Sequence, residues 1–358
     1  MARKKSNVWI GSLIVVLASL AVVSVVTLWH EPAAEEEIHP RLRLPSVQAD
    51  ADDCAVWVHP REPTRSLIMG NDKEGDHAGI YVYDLTGRVV QFLSLNRPTA
   101  LDVRRGFTLG GKAVSLCVVL EENSSELKAF AIDPEALRLR DVTSQKGIPT
   151  GVQGRSHGMA LFRRPSDGAL FAFVSPRGRG PLTQVQLLDD GSGRLTGKVV
   201  RKFGQGAVRS MAEAMAADDA LGFLYVADES YAVLKFRAEP DAPGDPVAAF
   251  ATGDGISGDR EGIAIYQRPD GSGYIVVGSQ GDNTLKVYAR EGDNRFLVTL
   301  HPVEAVRSDA LEVTSAPIGE GFPDGLLVCH SSPAKSYFVY SWADLVRGRL
   351  KSALSPRR

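Results

Sequence analysis

The stretch EGIAIYQRPDGSGYIVVGSQGDNTLKVYAREG, residues 261–292, decides the fold. Three short apolar-rich runs, EGIAI, YIVVGS and TLKVYAREG, are separated by the turn-forming clusters QRPDGSG and QGDN. Runs of this length bounded by Gly, Pro, Asn and Asp read as strands joined by tight turns. A polar loop rich in Gly and Asp after the central run is the feature to look for elsewhere in the chain.

It recurs. Apolar runs followed by polar loops begin at Leu67 (LIMGNDKEG), Leu116 (LCVVLEENS), Leu170 (LFAFVSPRG), Phe223 (FLYVADES), Tyr274 (YIVVGSQGDN) and Leu326 (LLVCHSS), spaced 49, 54, 53, 51 and 52 residues apart. After the loop most copies continue into an alternating strand, such as GIYVYDLTG or AVLKFRAEP. Before it stands a third element: DCAVW (53–57), TALDV (99–103), HGMAL (157–161), EAMAA (213–217), EGIAI (261–265) and DALEV (309–313). Its second position is always Cys, Ala or Gly. A repeat of about 50 residues with three or four strands is the period of a β-propeller blade. Six copies predict an all-β, six-bladed β-propeller, whose first strands crowd around a central channel where only a small residue fits. A β-sandwich with coincidental spacing is the alternative.

The chain has 358 residues, 44% of them hydrophobic and 23% charged, with a formal net charge of -2. Its Lys and Arg residues form no stripe, so nucleic acid is not expected as a partner. Arg3, Lys4 and Lys5 precede an uncharged run from Val8 to Trp29, long enough as a helix to cross a membrane. Residues 1–29 are therefore expected to be a membrane anchor or signal segment, with 30–48 a linker, 49–346 the propeller and 347–358 a C-terminal tail. With the positive flank inside, the propeller is expected to be exported, on the periplasmic or extracellular face, and tethered by residues 8–29. It is expected to act as a monomer. Cys54, Cys117 and Cys329 are too few and scattered for a disulfide framework.

The first position of the third element is Asp53, Thr99, His157, Glu213, Glu261 and Asp309. Superposed copies would set these in a ring at one mouth of the channel. Four carboxylates there would repel one another and draw in cations. The loops add Asp228, Glu229, Asp259, Asp282, Asp72 and Glu74. Oxygen ligands without clustered thiolate or imidazole suit Ca²⁺. Cations at such a mouth can bind an anionic substrate, and Lys73, Arg104, Arg177 and Arg179 lie in or beside the same loops. GRSHG, residues 154–158, matches GxSxG around Ser156, but the motif needs a following helix and a propeller strand is expected there.

These motifs resemble those of the β-propeller phytases, six-bladed calcium-dependent enzymes that hydrolyse inositol hexakisphosphate. The likeness runs from about Asp50 to Trp342. DADDCAVWVHP (50–60) is similar to the family's DAxDDPAIWVHP, and MAEAMAADD with LYVADES to TEGLVADD and LYIAEE. GDREGIAIY, GSQGDN and RSDALEV resemble DIEGLTIY, SSQGNN and SDTDGIDV. The resemblance implies a Ca²⁺-dependent phosphomonoester hydrolase that acts on phytate or a related small phosphorylated substrate by metal-activated water attack. It implies several Ca²⁺ ions held by Asp52, Asp53, Glu213, Glu229, Asp259, Glu261, Gln280 and Asp309, with Glu213, Glu229 and Glu261 catalytic. It also implies substrate contacts from Lys73, Arg104, His157 and Arg177.

The phosphate-binding set departs from the family pattern. NNVDLR is TALDVR here, the Arg-bearing SNRSEG loop is VLEENSSE, and His157 stands for a Tyr. Glu121 and Glu122 are expected to repel phosphate. Two alternatives stay open: a calcium-stabilised propeller that binds without turnover, and another metal-dependent propeller hydrolase such as a lactonase.

Overall fold

A computed structural model describes residues 37–347 and 349–350. The apolar run at 8–29 and nearly all of the tail lie outside the described residues. Six antiparallel sheets follow one another along the chain, of four strands each except the second, which has five. The runs that begin the six copies are the second strands: Leu67–Asp72, Lys112–Glu121, Leu170–Pro176, Phe223–Asp228, Gly273–Ser279 and Leu326–Ser331. Each is pressed between neighbouring sheets, so both faces are buried and polar alternation disappears. Leu326–Ser331 is buried at every position.

The first strands are Ala51–Trp57, Pro98–Leu109, Ser156–Arg163, Ala212–Asp218, Ile263–Gln267 and Leu311–Thr314. Each touches the first strand of the next sheet, and the last touches the first, which closes a ring around a central channel. The propeller expected from the repeat is thus the observed architecture. The small residue in each first strand has the expected cause. A Cβ on Gly158 would run into the carbonyl oxygens of Ala212 and Glu213 in the adjoining blade.

Burial follows the same radial plan. Six apolar clusters each draw on two adjacent blades, as where Leu161 and Val174 of the third blade meet Val118 and Leu120 of the second. At about 1.5–3 kcal/mol for each fully buried large apolar side chain, these seams are the main stabilising term. Carboxylates clamp the seams near the channel. Asp53 Oδ2 accepts the Leu101 N–H (2.8 Å), Asp102 Oδ2 that of Leu161 (2.8 Å), and Asp219 Oδ1 that of Arg163 (3.0 Å).

Closure of the ring involves a segment expected to be linker. Leu42–Arg43 pairs with Ser336–Ser341 and supplies the outer strand of the sixth blade, with Leu42 opposite Val339. Ile38, Leu44 and Val47 are buried as well. The propeller therefore begins near Ile38 and not at residue 49. Tyr337 then locks the sixth blade to the first. Its hydroxyl accepts the N–H groups of Asn71 (3.0 Å) and Asp52 (3.2 Å) and lies 2.9 Å from the carbonyl of Asp53. Cys54, Cys117 and Cys329 are all buried and unpaired.

Candidate active site at the channel mouth

The start of a first strand is not regular strand. Pairing with the second strand slips between Ala51 and Cys54, Pro98 and Ala100, Ser156 and Met159, and Ala212 and Met215. A β-bulge re-aims side chains and ends the ladder. Here it falls in four blades at the position expected to form the ring, on Asp52 and Asp53, Thr99, His157 and Glu213. In the last two blades Glu261 and Asp309 stand just before Ile263–Gln267 and Leu311–Thr314. The chain thus turns its ring side chains toward the mouth as it enters each blade.

Three of the expected residues converge. One carboxylate oxygen each of Glu213, Glu229 and Glu261 lie within 4.8 Å of one another. Glu229 comes from the loop after Phe223–Asp228, held by its N–H on the Met211 carbonyl (3.1 Å) and its own carbonyl on the Arg260 N–H (3.1 Å). Gln280 bridges two acids, donating through Nε2 to Glu261 and to Asp309 Oδ1 (2.7 Å). His157 Nε2 meets Glu213 Oε2 at 3.0 Å, and Lys73 Nζ meets Asp52 Oδ1 at 2.7 Å. Asp259 adds its charge beside Glu229.

The electrostatics are those of an overfilled acidic ring. Burial, with the neighbouring charges of Glu213 and Asp259, pushes the Glu229 carboxyl up to about 7. Glu261 is pushed up to about 10 by burial, its contact with Asp309 and the Glu213 charge. Asp52 rises to about 7 because burial and Glu213 outweigh Lys73. Glu213 is held below its ordinary value: burial opposes this, but the His157 hydrogen bond and the charges of His157, Lys73 and Arg177 prevail. One carboxylate is kept ionised while its neighbours resist ionisation.

Several expected residues sit elsewhere. Asp53 is not in the convergent set. Its two oxygens accept the N–H groups of Cys54 (2.8 Å) and Leu101 (2.8 Å), which makes it a clamp between blades. Arg104, expected to bind substrate, lies down the channel against Asp102 (2.7 Å), Asp219 (3.1 Å) and the Leu161 carbonyl (2.6 Å). His157, also expected to bind substrate, is 3% exposed and its Nε2 faces Glu213 and not open solvent. Below the ring the channel holds a cavity of about 230 Å³ reached by all six first strands. That is smaller than a typical ligand pocket of roughly 300–1,000 Å³. Ser156 of GRSHG is buried in a strand and is followed by strand, not helix.

Glu122 overturns its expectation. It is fully buried and lies under three guanidiniums: Arg97 Nε (2.5 Å), Arg155 Nη2 (2.5 Å) and Arg177 Nη1 (2.7 Å). Burial opposes it, but hydrogen bonds from Arg97 and Arg177 with the Arg177 charge hold its carboxyl below the ordinary range. A carboxylate outnumbered in this way is over-neutralised, and the expected excess of negative charge at Glu122 is not found. Arg97 and Arg155 were missed in the sequence, although Arg155 stands only two residues before the ring position His157.

Comparison with known proteins agrees with this geometry. The phytase family profile matches residues 10–334. A 3-phytase of Bacillus subtilis (strain 168) is 32% identical over 288 residues, covering 78% of this chain and 73% of that protein. A propeller with its acidic residues gathered at the channel mouth, matched by this profile over most of its length, belongs to the β-propeller phytase family.

Proposed function

We propose that the protein is a Ca²⁺-dependent phosphomonoester hydrolase acting on phytate or a closely related polyphosphorylated substrate. The observation that carries the reading is the convergence of Glu213, Glu229 and Glu261 beside an excess of arginine. The kinship with a 3-phytase supports the same substrate class.

The donor set suits calcium. Oxygens within 4.8 Å of one another can share one ion whose ligand distances are about 2.3–2.6 Å. Glu229 Oε1 is buried without a hydrogen-bond partner, an arrangement that costs free energy unless a cation accepts it. Glu213, Glu229 and Glu261 would hold calcium, with Asp309 and Asp52 close by. When bound, such a cation neutralises phosphate charge and acidifies water.

The chain's own residues have separable tasks. His157 fixes the Glu213 carboxylate and keeps it ionised. Gln280 donates to both Glu261 and Asp309 and so fixes the two carboxyl groups relative to each other. Lys73 holds Asp52 at the rim. We place the propeller outside the cytoplasm, tethered by residues 8–29, on the strength of the apolar run and its basic flank.

The test is phosphate release from phytate by the purified protein with Ca²⁺ and with chelator. Release that needs Ca²⁺ is expected. A folded protein that frees no phosphate at any Ca²⁺ concentration or pH would favour the binding module without turnover.

A further inference from the structure

We propose that Arg155, held in place by the buried carboxylate of Glu122, joins Arg177, already expected to contact substrate, in a phosphate-gripping pair beside the acidic cluster, with Glu122 as its positioning residue. This rests on the phosphohydrolase reading above and assigns the binding of the anionic group to particular side chains.

Charge count comes first. A buried carboxylate is neutralised by one guanidinium, and Glu122 has three. Glu74 takes part of the surplus by pairing with Arg97 at 2.7 Å. Arg155 and Arg177 share a single oxygen, Glu122 Oε1, and remain 46% and 40% exposed. A guanidinium carries five N–H donors. The Glu122 contact engages one nitrogen of each, so donors remain on the solvent side for an anion. Two planar forks tied to one point are pre-organised for the oxygens of a phosphate, which Arg can hold bidentately.

The backbone supports the same arrangement. Arg97 has φ +52°, a left-handed conformation seldom adopted outside glycine, and its carbonyl accepts the Glu122 N–H at 3.0 Å. The pair also adjoins the acidic cluster. Arg155 is two residues before His157, whose Nε2 lies 3.0 Å from Glu213, and the Arg177 charge is felt at Glu213.

The decisive measurement is calorimetric binding of inositol hexakissulfate to the full chain, because it needs no turnover. Arg155→Ala is expected to weaken binding about tenfold or more, and Arg155→Lys to weaken it less. Both should melt like the parent, since Arg155 is a rim side chain. Glu122→Gln is the sharper variant. It removes a negative charge, so bulk electrostatics demands tighter polyanion binding, whereas loss of positioning demands weaker binding. In turnover, KM for phytate should rise more than kcat falls. Parent protein that does not bind the probe, Arg155→Ala within twofold of the parent, or a folded Glu122→Gln that binds equally or more tightly would each overturn the proposal. If Glu122→Gln does not fold, Arg155→Ala decides alone. A parent that binds the probe through Arg155 yet frees no phosphate would sink the hydrolase reading and leave this pair standing.

Discussion

Glu213→Gln is expected to reduce phosphate release from phytate by at least about a hundredfold while leaving the fold intact. The Glu213 carboxyl is held below its ordinary value, and its charge raises the pKa values of Asp52, Glu229 and Glu261 around it. The amide keeps the volume and can still meet His157, so packing is preserved. What is lost is a full negative charge at the point where three carboxylate oxygens converge. Outer partners of metal ligands alone typically change affinity or activity by about 10–100-fold, so a directly converging carboxylate should exceed that. Two readouts separate the effect from misfolding. Without Ca²⁺ the variant should stay folded but melt slightly below the parent, because a lowered pKa marks the Glu213 charge as favourable in the folded protein. With Ca²⁺ it should gain less in melting temperature. Activity within threefold of the parent would remove Glu213 from the chemistry.

The fold was legible because a propeller repeats in one dimension. Each blade contributes a second strand buried on both faces, so LFAFVSP and LLVCHS stand out without any knowledge of their neighbours. The small residue of the first strand was legible too, since every blade meets the same crowding. Contacts between blades were not legible. Asp52 and Asp53 are adjacent acids, and only the bulge after Ala51 decides that Asp52 joins Lys73 at the mouth while Asp53 turns to the Leu101 amide. A slip of one residue moves a side chain to the other face, and the sequence does not record where the slip falls. Arg104 failed for a related reason. Two residues after Asp102 on one strand, it shares that residue's face and so reaches down the channel and not out to the rim. Glu122 looked repulsive because its three partners come from separate parts of the chain, at 97, 155 and 177. The strand Leu42–Arg43 was hidden by its shortness and by the Glu- and Pro-rich stretch before it.

With Ca²⁺ removed, stability is expected to fall as pH rises from about 5 to about 8, and added Ca²⁺ is expected to flatten that slope. Glu229 has an ordinary value of 4.5 and is raised to about 7 in the folded protein; Glu261 is raised to about 10. Between those limits the folded state binds more protons than the unfolded chain, so stability decreases with pH. Below about 4.5 both states hold the protons and the penalty vanishes. His157, raised by Glu213 although burial opposes it, acts in the same direction: the stability it adds is present below its unfolded value and lost as pH climbs through the folded one. Glu213, lowered, acts in the opposite direction, but its window lies below about 4.5, outside the range considered. One pKa unit is worth about 1.4 kcal/mol, so Glu229 alone contributes on the order of 2 kcal/mol after solvent screening. Calcium that binds the folded ring but not the unfolded chain stabilises by about 4 kcal/mol at a thousandfold excess over its Kd. It also favours the ionised carboxylates, which removes the slope. Melting temperatures across this pH range, in chelator and in millimolar Ca²⁺, read both effects at once. A chelated protein whose melting temperature stays level or climbs between pH 5 and 8 would mean that the ring carboxylates do not crowd one another. Their convergence could then not be what draws calcium to the mouth.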